Sequence, residues 1–429
     1  MTAVVTDYLH ALEKGLLDGE LLSLCGPVEL NAQRERRRIL LAGMKERFGD
    51  VPCFLVSVPG RTELGGNHTD HNHGRVLAAA VHLDCLAAVT PSGDNTVRIH
   101  SEGFPDAIFV DLADLSPQDG EVGKPEAIVR GVASSLSGRG HGAGGFSACI
   151  TSSIPMGVGL SSSAAFELLI GSIFNELYND GLVSPLDLAR AAKDAENIHF
   201  NKPCGFMDQI ACAFPGVSLI DFKDSASPVI ESVNSDFEAG GYKLVVVDTG
   251  GDHVNLTPEY AAIPKEMGMA ARELGQEFAR GISLDSVMDS LGELRKKVGD
   301  RAILRLIHFI EENDRVPEMA GALAAGNMEN YVRLMREAGD SSWRLLQNCI
   351  CMTCGHSQPI PIALTLSERL LGGRGGWRIQ GGGFAGTIQA LVPLELLERY
   401  VEGMERVFGK GAVVPLAVRQ AGMGVVCLD

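Results

Sequence analysis

No stretch of this chain reaches about 18 uninterrupted apolar residues, so a membrane-spanning helix is not expected. A basic excess is missing as well. The formal net charge over 429 residues is −17, and no Lys/Arg block stands out against it, which argues against a protein that binds the nucleic-acid backbone. Anionic ligands are not excluded, because backbone amides and a few local cations can hold a phosphate inside an acidic protein. The N-terminal MTAVVTDYLHALEKG lacks a basic stretch followed by an apolar run. It reads as a short surface helix and not as a signal peptide. Ten scattered cysteines without a secretion signal point to reduced thiols in a cytoplasmic protein rather than to a disulfide framework.

What is present describes a folded protein. The composition is 45% apolar and 21% charged, and the length favours two domains over one. Phe54 to Val58 reads as a strand running into Pro59-Gly60, and Arg75 to Val81 as its return after a polar loop. Gly145 to Ile154 suggests another strand, and a glycine-containing loop then opens an apolar helix from about Ser161 to Leu177. Ser184-Pro185-Leu186-Asp187 announces a further helix, with Ser184 as cap and Pro185 in its first turn. The Ser/Asp-rich KDSASP after Phe222 is the expected domain boundary, dividing residues 1–225 from 226–429. Tyr242 to Val247 is β-rich, Pro258 to Leu371 largely helical, and Trp377 to Gln380 and Thr387 to Val392 are β again.

Three segments carry chemistry. In PMGVGLSSSAA (155–165), Gly157 and Gly159 let the backbone approach a ligand, and the following helix start supplies free N–H donors and partial positive charge. Ser161, Ser162 and Ser163 add hydroxyls for phosphate or magnesium; capping the helix would need only one of them. No Gly-Lys-Ser/Thr follows, so this is not a Walker A loop. GGGFAG (381–386) formally satisfies G-x-G-x-x-G, but a dinucleotide fingerprint should open a helix. Here a strand follows, so the segment reads as a strand–turn–strand. PGRTELGGNHTDHNHG (59–74) places Arg61, Glu63, Asn67, His68, Asp70, His71, Asn72 and His73 on one loop, a density that suits a hydroxyl-rich ligand. Glu196, late in the helix beginning near Ser184, and Asp208, in the loop NKPCGFMDQ (201–209), supply carboxylates. One such group can take a proton from a reacting hydroxyl, and another can hold magnesium. The Cys349, Cys351, Cys354 and His356 cluster has a spacing too tight for a zinc module and reads as reduced thiols.

These stretches, in order and over most of the chain, resemble the galactokinase branch of the GHMP small-molecule kinases. The resemblance implies an α+β, two-domain fold, with a ribosomal-S5-like N-terminal half and a ferredoxin-like C-terminal half. It implies ATP and Mg2+ as cofactors and a small-molecule sugar and ATP as partners, beside the expectation from charge and hydropathy of no nucleic acid and no membrane. By position, Asp208 matches the catalytic aspartate and Arg61 the arginine that keeps it ionised. His68, Asp70, Gly205 and Tyr260 match sugar contacts. Gly157, Gly159, Leu160 and Ser161 to Ser163 match the phosphate loop, and Ser162, Ser163 and Glu196 the magnesium ligands. The sequence departs from the family where galactokinases read GRxNLIGEHTDYN: Asn67 replaces the glutamate that contacts the sugar's C6 hydroxyl, and Glu63 replaces an asparagine. After Tyr260 it reads Ala-Ala-Ile in place of YNxRR, and the segment that helps hold adenine is not evident around 125–132. An amide at 67 would tolerate an anionic C6 group that a carboxylate repels. The expected activity is phosphorylation of D-galactose at C1. The alternatives are a kinase for galacturonate or N-acetylgalactosamine, and a non-catalytic sugar and ATP sensor.

Overall fold

The computed structural model describes residues 3–25, 30–251, 256–352 and 355–428. Its strands are β1 (Phe54–Gly65), β2 (Arg75–Pro91), β3 (Thr96–Ser101), β4 (Ile108–Asp111), β5 (Phe146–Ser152), β6 (Val217–Asp221), β7 (Val229–Val233), β8 (Tyr242–Asp248), β9 (Gly376–Ile379), β10 (Thr387–Pro393), β11 (Val413–Leu416) and β12 (Gly424–Val426). Eight form one sheet in the order β12-β1-β2-β5-β3-β4, with β6 on β2 and β7 on β6. Only β3 and β5 run parallel in it. The other four make an antiparallel sheet, β11-β8-β10-β9. Helices pack on both sheets, giving an α+β molecule. The last strand, β12, returns to pair with β1, so the C-terminal residues complete the sheet that the N-terminal half begins.

β1 is buried along its whole length, and its pleat sorts side chains into two layers with period two. Phe54, Val56 and Val58 pack with Leu168 and Leu169 of helix Ser162–Tyr178. Cys53 and Leu55 join Tyr8, Leu41 and Met44 from the N-terminal helices. Helix Ser162–Tyr178 is apolar on nearly every side because it lies between that sheet and further helices.

Three details differ from the sequence reading. β1 does not stop at Pro59-Gly60 but continues to Gly65, with shifts in its pairing to β2 between Pro59 and Arg61 and between Glu63 and Gly65. A proline is tolerated in a central strand at such a bulge, where the ladder is already interrupted. Arg61 and Glu63 therefore stand on a strand and not on the loop. Asp208 lies in the first turn of helix Met207–Ala213 rather than in the loop before it. After Asp194 the helix holding Glu196 widens into a π turn, Ala195–His199, a local swelling common at functional sites. Ser184 caps helix Pro185–Asp194 by accepting from Asp187 N at 3.1 Å, as its motif anticipates.

The two sheets meet through polar groups. Arg378 on β9 forms an ion pair with Glu63 on β1, and their side chains are 0% and 4% exposed. Gln389 on β10 donates to Thr62 Oγ1 at 2.7 Å and to Glu63 O at 3.0 Å. Truncating one member of a buried pair leaves the other charge unpaired. Arg378→Met should therefore lower stability by about 3–5 kcal/mol in urea unfolding. A loss under about 1 kcal/mol would show that the pair behaves like an exposed one.

Candidate functional site

Between the sheets lies a cleft of about 540 Å³, lined by Arg61, Glu63, Asn67, His68, Asp70, His71, Lys202 to Gly205, Met207, Asp208, Tyr260, Ala261, Pro264, Gly381 and Gly382. It brings together residues of the 59–74 and 381–386 motifs and of the 201–209 loop, and the 155–165 segment reaches it through the bond from Ser161 to Asp208. Asp208 is held from two sides: Arg61 Nη2 approaches Oδ1 at 2.7 Å, with Nε at 2.8 Å, and Ser161 Oγ donates to Oδ2 at 2.6 Å. Burial alone would raise the Asp208 carboxyl. The positive charge of Arg61, with the hydrogen bonds from Ser161 and Arg61, outweighs it and holds the group below its ordinary value. The arrangement is a carboxylate that stays ionised on the wall of the cleft.

Ser161 reaches Asp208 because its backbone is left-handed, at φ 56°. It stands at the helix start without making a side-chain cap there. Gly157 and Gly159 have φ of 79° and 68°, conformations open to glycine at little cost. The Gly159 carbonyl accepts from Arg61 Nη1 at 2.5 Å and from Gln380 Nε2 at 3.1 Å. Thr387 Oγ1 donates to Val158 O at 3.2 Å. Leu160 is buried in the core, and its carbonyl accepts from Arg61 N at 3.1 Å. Only the backbone of Leu160 can face a ligand.

Glu196 is nearly buried. Its Oε1 accepts from Lys202 Nζ at 2.7 Å and its Oε2 from Gln209 Nε2 at 3.1 Å. Gln209 Nε2 also reaches Glu167 Oε2 at 3.1 Å, and Glu167 Oε1 accepts from Ser163 Oγ at 2.7 Å. Burial, and then the charge of Glu196, push Glu167 up to about 8. Carboxylates and serine hydroxyls are hard oxygen donors suited to a magnesium-like ion. The buried Gln209 Oε1, which has no partner, adds a further oxygen beside them. Among the described residues no group of three or more His, Cys, Asp or Glu is arranged as a metal site. Cys349 is a free thiol buried in the core of the second sheet, but Cys351 is disulfide-bonded, against the expectation of reduced thiols; Cys354 lies outside the described residues.

Much of the cleft wall is made by the 59–74 motif. Helix Asp300–Ala324 clamps it: His308 donates from Nε2 to Asn67 O at 2.9 Å, and Glu312 Oε1 accepts from Gly66 N at 3.0 Å. Asn67 lines the cleft with its side chain already engaged. Its Nδ2 donates to Glu63 Oε1 at 3.1 Å and Gly381 O at 2.8 Å, and its Oδ1 accepts from Asn348 at 2.8 Å. Glu63 and Asn67, the two positions that exchange carboxylate and amide relative to the galactokinase pattern, thus touch each other. His68 Nε2 donates to Gly382 O at 2.9 Å. Burial, and then neighbouring His71, push His68 down to about 4. Tyr260 donates from its hydroxyl to Gly383 O at 2.9 Å. Two glycines are required by close approach: a methyl group at Gly205 would overlap Asp70 Oδ2, and one at Gly382 would lie 2.5 Å from the Tyr260 ring.

Residues unnoticed in the sequence are Glu167, Gln209, Lys202, Gln380, Asn348 and Arg378. Only Glu167 carried a signal: an acidic residue in the apolar run SSAAFELLIGSIF, four residues after Ser163 and so on its helix face.

The fold and cleft are those of a small-molecule kinase of the GHMP type. Residues 127–216 match the GHMP kinases N terminal domain. The structure resembles Methanococcus jannaschii mevalonate kinase, with TM-score 0.60, 14% identity, and coverage of 85% of this chain and 98% of the other. It also resembles Streptococcus pneumoniae phosphomevalonate kinase, with TM-score 0.58, 13% identity, and coverage of 87% and 99%. At those identities the likeness is one of fold. Residues 45–91 match the galactokinase galactose-binding signature. Lactococcus lactis galactokinase, solved with galactose, superposes with TM-score 0.75 at 25% identity, covering 90% of this chain and 98% of that one. Together the galactokinase galactose-binding signature, the GHMP kinase N-terminal match and the likeness to a galactokinase structure make the chain a galactokinase-like sugar kinase. Among the described residues no helix is long and apolar enough to cross a membrane.

Two outcomes follow from the geometry. Gly205→Ala must displace the Asp70 carboxylate, so the sugar KM should rise at least about 10-fold, as for a misplaced binding group. An unchanged KM in steady-state kinetics would count against a sugar-binding role for Asp70 and Gly205. The fold keeps His68 neutral down to about pH 4, whereas an unfolded chain protonates it near 6.5. Its contribution to stability is therefore present above about 6.5 and lost as pH falls toward 4. Urea midpoints should fall less steeply over that window in His68→Gln than in the parent; parallel slopes would contradict the assignment.

Proposed function

We propose that the cleft binds ATP with a divalent ion and a monosaccharide, and transfers the γ-phosphoryl group to the sugar's anomeric C1 hydroxyl, with D-galactose as the substrate. The observation that carries this reading is the Asp208 carboxylate, kept ionised by Arg61 and aimed by Ser161, on the floor of a cleft walled by hydroxyl-binding side chains. Asp208 orients the acceptor hydroxyl and takes its proton. The sugar oxygen bonds to the γ-phosphorus as the bond from that phosphorus to the β–γ bridging oxygen breaks, and ADP leaves. Arg61 offsets the charge that develops near the reacting oxygens. The amides of Gly157 to Ser163 and the serine hydroxyls hold the phosphates. Glu196 with Ser162 and Ser163 would hold Mg2+, whose charge screens the phosphate oxygens when it is bound. His68, Asp70, Gly205 and Tyr260 form the sugar wall. The galactose-binding signature over residues 45–91 and the likeness to a galactokinase solved with galactose support that sugar.

A second reading, a kinase for a galactose derivative, is favoured by one observation. The wall at position 67 presents an amide tied to its neighbours, and the nearby Glu63 carboxylate is turned to Arg378. An anionic or bulkier group there meets no free carboxylate.

ATP consumption against galactose, galacturonate, N-acetylgalactosamine, glucose and arabinose separates the two. Galactose as the sole fast substrate supports the first reading, and preference for a derivative supports the second. Asp208→Asn should retain sugar and nucleotide binding by calorimetry while turnover falls about 10²–10⁴-fold. Turnover near the parent's would sink the mechanism.

A further inference from the structure

Lys202 stands between two acidic groups with different tasks. Its Nζ donates to Glu196 Oε1 at 2.7 Å, and it lines the same cleft as Asp208. The two side chains of that ion pair are unlike. Glu196 is 5% exposed and Lys202 is 61% exposed, so the carboxylate is fixed and the ammonium rides on a flexible stem.

The backbone is shaped to put Lys202 there. Directly after the π turn that carries Glu196, Asn201 takes a left-handed conformation at φ 63°. Asparagine enters that geometry more easily than other non-glycine residues, so the turn is built into the local sequence. The reversal returns the chain over Glu196, where Lys202 N donates to Glu196 O at 3.0 Å. Pro203 follows, and Cys204 N is anchored on Asn197 Oδ1 at 2.8 Å. The exposed half of an ion pair stabilises a fold little, so packing alone gives no reason for this arrangement. A compact ammonium on a four-carbon stem, in a cleft with a carboxylate base, is suited to meeting phosphate oxygens.

We propose that Lys202 is a mobile phosphate-facing cation: it neutralises Glu196 in the free enzyme, releases that carboxylate to a divalent ion, and turns its ammonium to the phosphoryl group during transfer. The proposal rests on the reading of the cleft as the ATP and divalent-ion site. It assigns two consequences of opposite sign to one side chain. Lys202 competes with the metal for Glu196, and it assists the reaction.

The test uses the full chain with Lys202→Met and Lys202→Arg. Mn2+ alone, titrated into the free proteins and followed by electron paramagnetic resonance, should bind several-fold more tightly to Lys202→Met than to the parent. In the same variant, turnover should drop about 10²-fold, the scale of losing one preorganised charge partner, with the sugar KM little changed. Lys202→Arg should recover part of the turnover. Equal or weaker Mn2+ binding by Lys202→Met, or turnover close to the parent's, overturns the proposal. If the parent consumes no ATP with any sugar, the proposed function fails. The Mn2+ titration then still decides whether Lys202 guards Glu196.

Discussion

The buried pair of Glu63 and Arg378 is the contact on which the rest of the site depends. It joins the first strand of one sheet to the edge strand of the other directly beneath the cleft. Desolvating two charges is expensive, and such a pair is weak evidence for stability in itself. Its value here is geometric. Glu63 receives Asn67, Asn67 receives Asn348 and grips Gly381, and His68 grips Gly382. A chain of charged and amide groups thus holds the 59–74 motif against the glycine turn of the second sheet. Hydrogen bonds in such a network polarise one another and act as a unit.

Around that network the backbone departs from regular geometry wherever a side chain must be aimed. The bulges in β1 turn Arg61 toward Asp208. The left-handed Ser161 turns its hydroxyl to the same carboxylate. π turns precede both Lys202 and Asn348. Each departure sacrifices some regular hydrogen bonding or backbone comfort, and each is retained next to a polar group in or beside the cleft. The electrostatics follow from these placements. Asp208 is held ionised because a guanidinium and a hydroxyl are brought to it, while Glu167, lacking a cation of its own, is pushed toward the neutral form.

The reciprocal exchange at positions 63 and 67 illustrates how far a sequence comparison reaches. Read singly against the galactokinase pattern, Asn67 is a lost carboxylate. In the structure it is one end of a direct contact whose other end, Glu63, carries the acid instead and turns it to Arg378. One amide and one carboxylate are kept, but the carboxylate now stands at Glu63, where it still lines the cleft and is paired with Arg378 of the second sheet.

The amino-acid sequence by itself determined the main strands and helices, the strand–turn–strand at Gly381 to Gly386 and the three motifs with their order, whose resemblance to a family implied the α+β class. These are written in local patterns of period two and 3.6, in glycine and proline punctuation, and in short motifs whose residues touch nearby backbone. It also singled out Asp208, Arg61 and Glu196, because their motifs are contiguous. It misplaced Arg61 and Glu63 on a loop, since a bulged strand that contains a proline looks like a strand end until its partner strand is known. Only the tertiary structure decided that Ser161 serves Asp208 and not the helix, that Asn67 is engaged by Glu63 and Asn348, and that Lys202 sits on Glu196. Those facts depend on residues up to hundreds of positions apart, and on which of several possible partners each polar group meets once the two sheets close. Local spacing cannot encode that choice, because it is made by the packing of the whole chain.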